Sequence, residues 1–77
     1  MFPQIESAYR RIEEAKEEIA ILLSMTEVDL ETYLKYRKDP STLSQPISQW
    51  NQDAIEAELD VIKEAAATIK HYVDTTL

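Results

Sequence analysis

The constraint that shapes everything else is a heptad-like apolar seam near the C-terminal end. Ile55, Leu59, Ile62, Ala66, Ile69 and Val73 follow one another at spacings of 4, 3, 4, 3 and 4. That pattern keeps one face of a helix apolar with a mean period near 3.5. It predicts a helix over about 51–75. At about 1.5 Å per residue the helix is roughly 37 Å long, so it needs a partner surface of similar length.

A second seam supplies one. Ile5, Ala8, Ile12, Ala15, Ile19 and Leu22 repeat at 3, 4, 3, 4 and 3. Large Ile alternates with small Ala, which lets a neighbouring helix come close. Pro3 suits the first turn, where its missing N–H has no partner to lose. The spacing predicts a helix over about 3–24. Its end, Ile19-Ala20-Ile21-Leu22-Leu23, is apolar on every side, and such a segment is buried on every side.

Thr26 reads as the N-cap of a shorter helix, with Asp29 at N3 and with Met25 and Leu30 at the staple positions. This second helix covers about 27–38. The alternative is one continuous helix from Pro3 to Lys38, since no Gly or Pro interrupts it. Either way it stops before Pro40, which pushes Asp39 out of the α region. Residues 39–50 form a connector with Leu43, Pro46 and Ile47 available to pack. Asn51 reads as the cap of the last helix, with Trp50 stapled onto Ile55.

The expected fold is therefore all-α and one domain over 1–77. Two long antiparallel helices carry a shorter helix between them. Ile21, Leu23, Val61 and Tyr72 lie off the seams. A homodimer completing a four-helix-type core is the simplest way to cover them.

Composition limits the function classes. The chain has no Cys, hence no disulfide and no thiolate metal site, and no Gly, hence no Gly-rich phosphate loop. No apolar run approaches the length of a membrane span, and no signal peptide is visible. A cytoplasmic protein is expected, with no membrane partner. The net charge is −7, which argues against nucleic-acid binding. Lys35, Arg37 and Lys38, opposed only by Asp39, make the one cationic zone between residues 35 and 52.

Four groups were weighed as sites. Glu13-Glu14-Ala15-Lys16-Glu17, with Glu56, Glu58 and Asp60, resembles the paired acidic helices of the MazG-type nucleotide pyrophosphohydrolases. The resemblance covers about ten residues and implies carboxylates that hold Mg²⁺. That family's second motif is E-x-x-D, and Ala57 stands at the first acid's place here. Leu43 to Trp50 resembles the recognition-helix start of Cro-type helix-turn-helix repressors, with Asp39-Pro40 interrupting the element that should precede it. His71 is the only histidine and has no second ligand beside it. Leu30, Tyr33, Leu34 and Arg37 form a stripe next to the cationic zone.

The reading that combines these points is a non-enzymatic, cofactor-free adaptor, regulator or inhibitor. It would act by binding another protein, a basic one being the best match to the acidic surface. Partner-interface candidates are Ile21, Leu23, Leu30, Tyr33, Leu34, Tyr36 and Arg37. The alternative is the metal-dependent, MazG-like hydrolase.

Overall fold

The computed structural model describes residues 2–76. Helix α1 spans Pro3–Ser24, α2 spans Leu30–Lys38 and α3 spans Gln49–Thr76. A 3-10 turn at Pro40–Thr42 follows α2. Among the described residues there is no strand. The fold is all-α, and its two long helices pack on each other.

The N-terminal seam matches the expectation at every position. Ala8, Ala15, Ile19 and Leu22 are buried, and Ile5 and Ile12 are half-buried. Phe2 at one end of α1 meets Tyr72 near the far end of α3, with ring centroids 5.7 Å apart. The two helices are thus antiparallel along their length. They make a rod with extents of 48 × 21 × 17 Å.

The C-terminal seam is shifted. Ala65 is fully buried, whereas Ala66 is exposed; Tyr72 is half-buried, whereas Val73 is 41% exposed. The line of α3 that meets α1 is therefore Ile62, Ala65, Ile69 and Tyr72. A strict 3.5-residue repeat drifts by about 20° per heptad around a straight helix, so it does not stay on a single contact line. Ala8, Ala15 and Ala65 are the small residues buried on the packed faces of α1 and α3. Leu59, Ala66 and Val73 are left on the flank.

The break between α1 and α2 falls where it was expected, but its chemistry differs. Thr26 caps nothing. Its backbone N–H and hydroxyl both donate to the Leu23 carbonyl, at 3.0 and 2.8 Å, finishing α1. Glu27 then takes φ 58°, the left-handed conformation that ends a helix and that Gly usually fills. The chain next becomes extended at Asp29, whose carboxylate accepts from the Thr32 N–H at 2.7 Å. Asp29 is the cap, and α2 starts at Leu30 rather than near 27. The Met25–Leu30 staple is not formed, and both side chains are exposed.

At the start of α3, Ser48 replaces Asn51 as the cap. Its hydroxyl accepts from the Asn51 N–H at 3.3 Å, and its carbonyl accepts from the Gln52 N–H at 3.0 Å. Trp50 consequently lies inside the first turn, 66% exposed, and does not pack on Ile55. Ile47 is the connector residue that is buried instead.

One compact core forms at this end of the rod. Ile19, Leu22 and Leu23 from α1, Tyr33 and Tyr36 from α2, Ile47 and Ile55 pack together. Two polar links tie α2 down. The Tyr33 hydroxyl donates to Glu56 Oε2 at 2.8 Å. The Tyr36 hydroxyl accepts from the Ile47 N–H at 3.3 Å and from Gln52 Nε2 at 3.4 Å. The short helix thus covers only the end of the hairpin where α1 stops.

Candidate functional site

An open groove of about 660 Å³ lies between α1, α3 and the start of α2. Ile19, Ala20 and Leu23 of α1 form one wall, and Leu59 and Ile62 of α3 the other. Val28, Asp29 and Leu30 close it at the top, and Lys16, Ser24 and Glu27 stand at its edges. The floor is aliphatic because α1 and α3 meet one residue off the heptad line. The flank residues of both helices therefore face this side.

The apolar lining continues below the groove. Counting back by heptads from Leu23 gives Lys16 and Tyr9, and counting on from Leu59 gives Ala66 and Val73. Tyr9 is 54% exposed and Val73 41% exposed. Only α2, nine residues long and hence about 14 Å, covers part of this lining. The charges here have both signs. Lys16, Glu27 and Asp29 all line the groove. Lys16 and Glu13 approach to 3.4 Å on the open surface.

The structure divides the interface candidates. Leu23, Tyr33 and Tyr36 are in the core of the monomer, where α2 folds back onto α3, so they are corrected from surface to core. Arg37 is paired with Glu56, Nη2 to Oε1 at 2.7 Å. Ile21, Leu30 and Leu34 stay exposed, at 57%, 41% and 38%. Leu30 and Leu34 lie one turn apart, with Leu30 on the groove, whereas Ile21 points away from it. Tyr9, Ala20, Ala66 and Val73 were missed as surface candidates. Ala66 and Val73 belong to the 55–73 seam, whose regular spacing reads as core.

The acidic motif does not assemble. Glu13, Glu14, Glu17 and Asp60 are exposed, and Glu56 is engaged by Tyr33 and Arg37. Among the described residues no three His, Cys, Asp or Glu side chains come together in a way that could hold a metal ion. The Leu43–Trp50 stretch is not a recognition helix. It is a turn and an extended connector up to Ser48. His71 is exposed and sets its ring edge-on to Tyr72 at 5.3 Å. No described helix is long and apolar enough to cross a membrane.

Electrostatics mark the joints of α2 rather than the groove. Burial pushes the Tyr33 phenol well above its ordinary pKa of 10.0, and the hydrogen bond to Glu56 adds to the effect. The Thr32 backbone N–H holds the Asp29 carboxyl below its usual range. The Ser41 hydroxyl and N–H do the same for Asp39. A smaller cavity of about 340 Å³ lies between Met25–Val28 and the connector; Asn51 lines it, and Asn51 Oδ1 is buried there without a hydrogen-bond partner.

A family model covering residues 1–76 matches this chain throughout. The chain belongs to the DUF2443 family, described as proteins of unknown function. No curated protein and no solved structure matches it. The groove is an exposed apolar feature of the α1–α3 face.

Proposed function

We propose that this DUF2443 protein is a non-enzymatic interaction module that works as a homodimer, formed through the open face of the α1–α3 hairpin. The observation that carries the reading is the unfilled aliphatic groove bounded by Ala20, Leu23, Leu30, Leu59 and Ile62. A contiguous apolar face of this kind marks an interaction site in a protein that exposes it. Its floor is aliphatic and its polar residues, Lys16, Ser24, Glu27 and Asp29, stand at the rim, which favours an apolar protein surface over a small polar ligand. The dispersed carboxylates and the net charge of −7 favour protein binding over metal-assisted hydrolysis or nucleic-acid binding.

The geometry of α2 suggests how two copies would meet. A pair with like ends together would drive α2 against α2. A two-fold axis across the helices instead lays α2 of each copy over the bare half of the other. Leu30 and Leu34 would then meet Ala66, Val73 and Tyr9 of the second copy. The mixed charges along this face suit a surface that pairs with itself, because a face of one sign would repel its own image. The product is a closed helical core with four long helices and the two short ones between them.

Analytical ultracentrifugation tests this. The wild type is expected to sediment as a dimer at tens of micromolar. Ala66→Glu, at a position exposed in the monomer, is expected to give a monomer of unchanged helicity. A wild type that stays monomeric at that concentration would remove the homodimer.

A further inference from the structure

The opposite side of the hairpin has a different character. Gln4, Ser7, Arg11, Thr68 and Tyr72 line one shallow depression there, which fixes which flanks of α1 and α3 share that side. Eighteen residues are five full turns of an α-helix. Met25 is eighteen residues after Ser7, and Trp50 is eighteen before Thr68. Because the helices are antiparallel, the two displacements run the same way, about 27 Å each. Met25 and Trp50 therefore come out on this side together, at the end where α1 stops. They are 61% and 66% exposed, the two most exposed large apolar side chains among the described residues, and Ile21, one turn before Met25, is next at 57%.

The residues between extend the patch and give it a sign. On α3 the line from Trp50 passes exposed Ala57 and half-buried Val61. On α1 the line from Arg11 to Met25 passes Glu14 and Glu18, with Glu17 beside them. Asp53 and Asp60 border the α3 line. Among the described residues, none of the positions on the Met25–Trp50 lines of α1 and α3 named here is Lys or Arg, save Arg11 at the start of the α1 line. A copy of the same chain placed here would oppose acid to acid, so this face does not suit the homodimer.

We infer that the Met25–Trp50 face is a second docking surface, separate from the dimer groove, whose occupant is a cationic amphipathic helix of another protein. The small side chains of Ala54 and Ala57 leave a shallow track beside a large aromatic anchor. Trp is the residue type that most often dominates such contacts. An apolar stripe on the incoming helix covers Ile21, Met25, Trp50 and Val61, and its lysines or arginines reach Glu14, Glu17 and Glu18 on one side and Asp53 and Asp60 on the other. The acidic borders would speed the encounter and make it sensitive to salt. This inference rests on the interaction reading but not on the homodimer.

Trp50 is the only tryptophan, so its emission reports the face directly. The probe is a synthetic helical peptide of about five turns, with leucines at i, i+3, i+4 and i+7 and lysines elsewhere. The control peptide has glutamates in place of the lysines. The lysine peptide is expected to shift Trp50 emission to the blue saturably and more weakly at high salt, and the glutamate peptide to have no effect. Ala57→Lys should weaken the binding more than tenfold. Thr75→Lys, the same change in net charge at the far end of α3, should leave it within twofold. Ala66→Glu, designed to break the dimer, should also leave it intact. No shift, an equal shift with the glutamate peptide, or equal loss in Thr75→Lys would overturn the site. Loss of binding in Ala66→Glu would move the peptide to the dimer groove and overturn it as well. Binding without any change at Trp50 would overturn this face while leaving the interaction reading in place.

Discussion

The Tyr33 hydroxyl donates a 2.8 Å hydrogen bond to Glu56 Oε2, linking the short helix to α3 across 23 positions of sequence. Arg37 takes the other carboxylate oxygen at 2.7 Å. Tyr33 is 2% exposed and sits in the core beside Ile55. One residue thus supplies both the apolar body and the polar tip that hold α2 in place. A phenol bonded to a carboxylate is worth more than a neutral pair, and an ion pair as exposed as Arg37–Glu56 is worth little.

Tyr33→Phe should therefore destabilise the fold by about 1–3 kcal/mol, and Arg37→Ala by less than about 1 kcal/mol, in urea denaturation. The tyrosine also sets an alkaline limit. Its folded pKa lies above the unfolded value of 10.0, so the folded state holds the proton more tightly. The associated stability is fully present below pH 10.0 and is lost as pH rises above it. The loss with pH should be smaller in Tyr33→Phe. An identical alkaline profile for the two proteins would refute the assignment.

The cap at Asp29 gives an acid-side counterpart. Its folded pKa is depressed from 3.8 by the Thr32 N–H. The stabilisation is present above 3.8 and is lost as pH falls through the lower folded value. Asp29→Ala should lower the melting temperature at neutral pH and flatten its acid dependence. Thr26→Ala should do less, because Thr26 only closes the end of α1. A larger effect from Thr26 would restore it as the cap.

Glu27 at φ 58° carries a side chain in a conformation that costs roughly 1–2 kcal/mol in a non-glycine residue. Glycine relieves that cost but is more flexible when unfolded. Glu27→Gly should be neutral to stabilising by up to about 1 kcal/mol, whereas a β-branched Glu27→Val should be clearly destabilising. Thermal melts of the two variants side by side decide the point.

The phase of α3 can be tested by adding volume. Ala65 is fully buried against α1, and Ala66 is exposed. Ala65→Leu should cost about 1–3 kcal/mol through overpacking, and Ala66→Leu should cost little. Ile55→Ala should cost about 2–5 kcal/mol, the usual range for a buried aliphatic. Leu59→Ala should cost less than Ile55→Ala in a monomer and about as much in a dimer that buries Leu59. Comparing the two variants above and below the dissociation concentration separates these cases.

The sequence by itself determined the helices. Alternating Ile and Ala over 5–22, the heptad run over 55–73, Pro3 and Asp39-Pro40 specify two long helices and a short one, because periodicity and backbone sterics are local. It also specified that the long helices must pair, since neither seam can stay in water. Tertiary structure alone decided the rest. Whether α1 meets α3 through Ala65 or Ala66 is a rotation of about 100°, and each choice buries an alanine. The fold buries Ala65 and leaves Ala66 exposed, with Val73 41% exposed on the same flank and Leu59 half-buried beside them. Tyr33 and Tyr36 read as interface aromatics because they lie on or beside the Leu30–Tyr33–Leu34–Arg37 stripe next to the cationic zone. They are core because the fold brings Glu56, Gln52 and the Ile47 N–H to their hydroxyls, and such long-range pairing of polar tips leaves no periodic trace in a single chain.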